Sequence, residues 1–396
     1  MTPEEVELLS ELTIVIVTCN RPLELERAIE YWRDTPVTVH IVDGSERNWF
    51  PIGDLLGVPK ITYHHFPPLV DEGRFENYAR RMQFASTIPA TKFSALCADD
   101  DFFTVSGLVK FCLLMNCDQN VDAVVGICSE FKLSGDNSEM RWHLRYADWR
   151  AGAHSQSDDV PLRVLDESGA FYLYYAVMRT EPWKKTISSS FQILYDHDHF
   201  FEFLMKKFGT ALCKTSVERH ICWVKTAWNL NPNIPGQATR IRNADFIRDK
   251  DNRYEVKLFE HQLRSVFASV IEGPNREKIA GYLAKKILQR ESKKSETRKY
   301  RKIKGVILKF FVRVFAFLPS AIKSFVNRSL PNKLLVATGA RHGVPLQNLS
   351  KNNYFTLPEF LFGLADTDIT FDSKDFDAIS KLLMKPREEL QFHANL

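Results

Sequence analysis

Apolar and polar positions in the first third of the chain alternate with two periods, one of strands and one of helices. Residues 12–18, LTIVIVT, form a β-branched apolar run closed by Cys19-Asn20-Arg21-Pro22, the pattern of a buried strand that leaves through a loop. In LELERAIEYW the residues Leu23, Ala28, Ile29 and Trp32 fall on one helical face, and VTVHIVDGS (37–45) reads as a second strand ending on Asp43-Gly44. Strand, helix and strand within about thirty-five residues is the signature of a right-handed βαβ unit and a parallel sheet. The alternation continues with a strand at ITYHHF (61–66), a helix over EGRFENYARRMQFASTI (72–88) and a strand KFSALCA (92–98) that runs into Asp99, Asp100 and Asp101. A helix at GLVKFCLLMN (107–116) and a strand DAVVGICSEFKL (122–133), expected antiparallel or at a sheet edge, follow.

Further on the pattern weakens. Residues 135–165 read as a loop-rich insertion, GAFYLYYAVMR (169–179) as strand-like, and SSFQILYDHDHFFEFLMKKFG as the approach to a helix that begins near Tyr195 to Asp198. NLNPNIPGQ (229–237) is turn chemistry and a plausible domain edge, residues 246–288 are mainly helical in pattern, and a last helix is expected over Phe376 to Met384. The expected fold class is α/β: a Rossmann-like, mostly parallel sheet flanked by helices over 1–240, with a mainly helical C-terminal extension over 241–396.

Composition changes this picture little. The chain of 396 residues is 44% hydrophobic and 26% charged, with a formal net charge of +4, so the whole-chain balance points to no particular partner. Seven cysteines without CxxC or zinc-ligand spacing read as free thiols of a reducing compartment. The acidic MTPEEVELLSEL start lacks the basic and apolar regions of a secretory signal, and no apolar window reaches the roughly 18 residues of a spanning helix. The expected location is cytoplasmic. Charge concentrates at 292–328, where eleven Lys or Arg face one Glu. Within it Ile303, Val306, Ile307, Phe310, Phe311, Val314 and Phe317 recur at helical spacing while Lys302, Lys309 and Arg313 share another face. That describes a basic amphipathic helix suited to peripheral contact with anionic lipid, against a core helix or a nucleic-acid patch as competing readings.

The candidate chemistry lies at the strand ends, where open α/β sheets bind ligands. Three adjacent carboxylates repel, and a divalent cation such as Mg²⁺ or Mn²⁺ relieves that repulsion while leaving positions open for phosphate oxygens. The competing reading is that one aspartate caps the helix that follows.

With TIVIVTCNRPLELERAIEYW, VHIVDGS and YARRMQFASTIPATKFSALCADDDF in this order and spacing, residues 12–105 resemble the N-terminal half of the GT-A glycosyltransferases, family 2 type. The resemblance implies a nucleoside-diphosphate sugar as donor, with Mn²⁺ or Mg²⁺ as cofactor. It implies that Thr18, Asn20 and Arg21 line the nucleotide pocket, that Asp43 accepts from the base, and that Arg80 approaches the diphosphate, although Arg81 stands where the family pattern has Asn. Asp99 and Asp101 would be the metal-binding pair and Asp100 would orient the donor sugar. In YDHDHFFEFL the resemblance implies a catalytic base at Asp198 or Asp196, where helix capping is the alternative. His220 is implied as a third metal ligand, against a core histidine, and Trp223 and Trp228 could stack on a sugar. The acceptor would be a hydroxyl on a lipid-linked or surface glycan at the inner face of the membrane, with no nucleic acid as partner. Two rival readings stay open: a nucleotidyltransferase, for which TCNRPLE lacks the glycine-rich phosphate loop, and a non-enzymatic membrane or nucleic-acid adaptor.

Overall fold

A computed structural model of the chain describes residues 1–50, 53–55, 58–133, 139–145, 149–166, 168–169, 173–193, 198–226, 247, 249, 252–292, 354–365 and 367–385. The basic segment after residue 292 and Asp196 lie outside the described residues. The chain opens with α1 (Pro3–Ser10), β1 (Leu12–Thr18), α2 (Pro22–Trp32), β2 (Thr38–Asp43), β3 (Gly53–Leu55), β4 (Val58–His65) and α3 (Arg74–Thr87). Then come β5 (Phe93–Ala98), β6 (Phe102–Phe103), α4 (Val105–Cys117), β7 (Ala123–Leu133), β8 (Met140–Arg145) and α5 (Val160–Leu165). A 3-10 turn at Leu173–Tyr175 leads to β9 (Val177–Arg179), α6 (Thr180–Ser190), α7 (Asp198–Leu212) and β10 (Thr215–Thr226). Among the described residues there follow α8 (Arg253–Val270), α9 over 276–292, α10 (Leu357–Ala365) and α11 (Ser373–Met384).

Ten strands make one sheet in the order β3-β4-β2-β1-β5-β9-β7-β10-β6, with β8 beside β7. β4, β2, β1 and β5 are mutually parallel, and β7 is parallel to β10. Strand alternation divides the core between the two sheet faces. Ile14 and Ile16 of β1 pack with Leu25, Ile29 and Trp32 of α2 and Leu108, Phe111 and Met115 of α4, whereas Val15 joins Met82 of α3, Ile187 of α6 and Met205 of α7. A smaller apolar cluster joins α7 to α8 and α9 through Phe208, Phe259, Phe267 and Leu283.

Two sequence expectations are corrected, one is met in part, and one helix was not expected. Strand β7 is antiparallel to β9 and β8, as expected, but lies inside the sheet and not at its edge, with parallel β10 on its other side, and its run of nine buried positions fits that place. The insertion expected to be loops holds β8 and α5. Among the described residues of GAFYLYYAVMR, Val177–Arg179 are strand and Leu173–Tyr175 close into a 3-10 turn. Helix α6 was hidden in the polar TEPWKKTISSS, whose Trp183 and Ile187, one helical turn apart, are its large apolar anchors.

The helical character expected after residue 240 holds in α8 to α11, and the last of these helices complete the core of the sheet domain. Trp142 and Phe355 exchange two backbone hydrogen bonds, 2.7 and 2.8 Å, and Phe360 and Phe376 pack on the Trp142 ring. Asp368 pairs with Arg219 at 2.6 Å, and Asp375 of α11 accepts from the Val105 and Ser106 amides, capping α4 from 270 residues away. Among the described residues no helix is long and apolar enough to cross a membrane.

Candidate functional site

The parallel register brings three loops to one edge. Thr18 pairs with Asp43 across β1 and β2, and Val17 pairs with Ala98 across β1 and β5, so the residues after each strand emerge side by side. Beyond β1 the chain turns sharply at Asn20, whose φ of 57° makes it the non-glycine residue in left-handed conformation among those described. Asn tolerates that region better than most residues. The Asn20 amide donates to Ser45 Oγ (2.7 Å), tying the β1 loop to the β2 loop. Pro22 then starts α2, and Arg21 before it makes no side-chain cap, so its guanidinium is released toward β5.

At β5 the Thr18 hydroxyl donates to Asp99 Oδ2 (2.5 Å). The Arg21 fork spans two carboxylates, with Nη1 on Asp99 Oδ1 (2.6 Å) and Nη2 on Asp100 Oδ2 (2.7 Å), and Glu24 lies 3.5 Å from Nη2. Burial opposes the Arg21 charge, but Asp99 and Asp100 outweigh it and raise its pKa above the ordinary value. Asp101 faces the other way. Its Oδ2 accepts from Tyr175 Oη (2.6 Å) and Trp223 Nε1 (3.3 Å), and its Oδ1 accepts from the Thr226 amide (3.0 Å). Tyr175 and Trp223 stack with centroids 3.6 Å apart, and Trp149 lies against Trp223, so an aromatic wall stands beside Asp101. Burial pushes both Asp99 and Asp101 up to about 7; Asp100 adds to both shifts, while Arg21 opposes the first and Lys225 the second.

Asp43 is fully buried and accepts from the Ser45 amide (2.8 Å), Ser45 Oγ (2.5 Å) and Tyr63 Oη (2.6 Å). These three protein donors hold Asp43 as the anchor of the β2 loop. Arg80 lies against Glu72 (3.1 Å), the Pro67 carbonyl (2.8 Å) and the Phe66 ring. Its neighbour Arg81 takes the inward position. Only 8% exposed, Arg81 passes over Gly44 and donates to the Thr18 carbonyl (2.8 Å), and its Nε has no hydrogen-bond partner. A Cβ on Gly44 would lie 1.8 Å from Arg81 Nη1, so glycine makes room for the guanidinium. Two arginines in succession on a helix lie about 100° apart, and the sequence does not say which one faces the sheet.

Carboxylates have the right chemistry for Mg²⁺ or Mn²⁺, but this donor set does not fit such an ion as it stands. Both oxygens of Asp99, both of Asp101 and Oδ2 of Asp100 already accept from protein donors; among the described residues only Asp100 Oδ1 is without one. The expected Asp99 and Asp101 pair is therefore split, Asp99 to an arginine and Asp101 to the aromatic wall. His220 does not join them. Its Nε2 lies 3.1 Å from Ser106 Oγ and its Nδ1 2.7 Å from Thr370 Oγ1, in the middle of β10 beside the start of α4 and six residues before Thr226. Burial and Lys110 push its pKa down to about 4, as for a neutral core histidine. Asp198 is the first residue of α7.

Sequence reasoning missed Tyr175, Arg81 and Thr226. Tyr175 and Thr226 carry no motif: Thr226 reaches Asp101 through the pairing of β10 with β6 and β7, and Tyr175 from the 3-10 turn before β9, which pairs with β5 and β7. No protein-family model and no curated protein matches the sequence. Among solved structures, S. aureus TarS (residues 1–349) is similar at 11% identity and a TM-score of 0.36, covering 68% of this chain and 69% of that chain. The same S. aureus protein in complex with UDP-GlcNAc is similar at 13% identity and a TM-score of 0.37, covering 69% and 71%. At those values the likeness assigns no activity to this chain.

Proposed function

We propose that the chain is a GT-A-type glycosyltransferase of the family 2 kind, moving a sugar from a nucleoside-diphosphate donor to a hydroxyl acceptor. The observation that carries the reading is the convergence of the β1, β2 and β5 ends, with Thr18, Asn20, Arg21, Ser45 and Asp99 to Asp101 on one edge of a parallel sheet. That is where open α/β sheets receive nucleotides. The diphosphate lies against the Arg21 side of the edge, and the exposed part of Asp100 faces the donor sugar. The aromatic wall of Tyr175, Trp223 and Trp149 borders the sugar and acceptor side, where stacking against a pyranose is the common mode for such rings.

In this reading the acceptor hydroxyl loses its proton to Asp198 at the start of α7, or to Asp196 just before it, and attacks the anomeric carbon in a single inverting displacement. The bond from that carbon to the diphosphate oxygen breaks, and the leaving charge develops beside guanidinium groups. The acceptor is a lipid-linked or surface glycan, brought to the protein by the basic segment at 292–328 on an anionic membrane.

The test is a screen of nucleotide sugars for release of nucleoside diphosphate, with and without Mn²⁺, on the wild-type chain and on Asp100→Asn. Turnover of one donor that falls by about a hundredfold or more in the variant is the expected result. A screen with no turnover and no nucleotide binding under any condition refutes the proposal.

A further inference from the structure

Two guanidinium groups flank Thr18, and neither is used up by its surroundings. Arg21 is about one-third exposed and spends Nη1 and Nη2 on Asp99, Asp100 and Glu24, which leaves its Nε–H uncommitted among the described residues. Arg81 is more than nine-tenths buried, donates once to the Thr18 carbonyl, and holds an Nε without a partner over the bare Cα of Gly44. A buried donor without an acceptor is costly and calls for an explanation, and a bound anion supplies one. Meanwhile the aspartates that would hold a metal are engaged by protein donors, and the Arg21 fork lies between two of them.

We propose that Arg21 and Arg81 are the cationic half of a polyphosphate site that works without a divalent ion, Arg21 exchanging the Asp100 carboxylate for a phosphate oxygen when the ligand arrives. The diphosphate class of ligand rests on the transferase reading above; the cation assignment rests on the geometry alone. Asp99, held on both sides by Thr18 and Arg21, keeps the guanidinium at the strand end through the exchange, and the more exposed Asp100 is the carboxylate that gives way. Guanidinium is suited to this because its fork matches phosphate and carboxylate equally well. A divalent ion reaching Asp99 and Asp100 would first have to displace Arg21.

The experiment is calorimetric titration of the full chain with inorganic pyrophosphate in excess EDTA, on wild type, Arg21→Gln, Arg81→Gln and Arg21→Lys, each checked for a wild-type thermal melt. Wild type binds in EDTA, each Gln variant binds at least about tenfold more weakly, and Arg21→Lys recovers part of the loss. If Arg81→Gln does not fold, the Arg21 pair of variants decides. A second titration with Mn²⁺ alone should show binding at least about tenfold tighter to Arg21→Gln than to wild type, because removing the guanidinium frees two carboxylates. Pyrophosphate binding that appears only with Mn²⁺, that both Gln variants retain, or that is absent under both conditions overturns the proposal, as does equal Mn²⁺ binding by wild type and Arg21→Gln. Donor turnover that needs Mn²⁺ would leave the transferase reading standing and sink this one. Pyrophosphate binding in EDTA without turnover of any nucleotide sugar would do the reverse.

Discussion

Gly44→Ala tests how the strand end around Arg81 is built. Gly44 is not among the glycines with positive φ, so alanine can adopt its backbone without strain, and the cost must come from space alone. The new methyl would stand 1.8 Å from Arg81 Nη1, 2.3 Å from Cζ and 2.5 Å from Cδ, far inside contact distance, so the guanidinium must leave. It then gives up its 2.8 Å bond to the Thr18 carbonyl, a charged donor worth about 1.5–3 kcal/mol. Against this, replacing glycine restricts the unfolded chain and returns about 0.4–1 kcal/mol. The net destabilisation expected is about 1–2 kcal/mol. Urea denaturation of wild type, Gly44→Ala, Arg81→Ala and the double variant completes a cycle. In the Arg81→Ala background the three atoms nearest the methyl are gone, and Gly44→Ala should turn neutral or stabilising. Equal cost in both backgrounds would show that the glycine serves something other than Arg81.

Three further outcomes follow from the described contacts. His220 has a folded pKa pushed down to about 4 from 6.5, so its neutral form stabilises the fold fully above pH 6.5 and that contribution is lost as pH falls from 6.5 toward 4. The loss between pH 7 and 5 is about 2 kcal/mol, and the difference between wild type and His220→Gln in pH-dependent denaturation should show it; parallel curves would refute the neutral assignment. Asp375→Ala removes the cap that α11 places on α4 and should cost about 1–2 kcal/mol in denaturant, whereas an unchanged midpoint would mean that α11 is not docked there in solution. Tyr175→Phe deletes the 2.6 Å donor to buried Asp101 and should cost about 1–3 kcal/mol, read by thermal and urea denaturation; a neutral result would show that water replaces the hydroxyl.

The pattern of apolar residues by itself determined the βαβ beginning of the fold. LTIVIVT and VTVHIVDGS are both short β-branched runs bounded by turn residues, and parallel pairing of the two at once places Thr18 beside Asp43. The helices α2, α4 and α11 were equally legible, because their apolar residues recur at a single period. Polarity also marked the edge, since three aspartates after a buried strand have few places to go other than a sheet end.

What the aspartates face was decided only by the tertiary structure. Hydrogen-bond partners come from elements far apart in sequence: Arg21 reaches Asp99 across 78 residues, Tyr175 reaches Asp101 across 74, and the Thr226 amide does so across 125. The same holds for the choice between Arg80 and Arg81, which rests on how α3 is rotated against β1 and on the absence of a side chain at Gly44. Local sequence sets period and charge, whereas a carboxylate's partners depend on which strands lie side by side, and strand order is a property of the whole sheet.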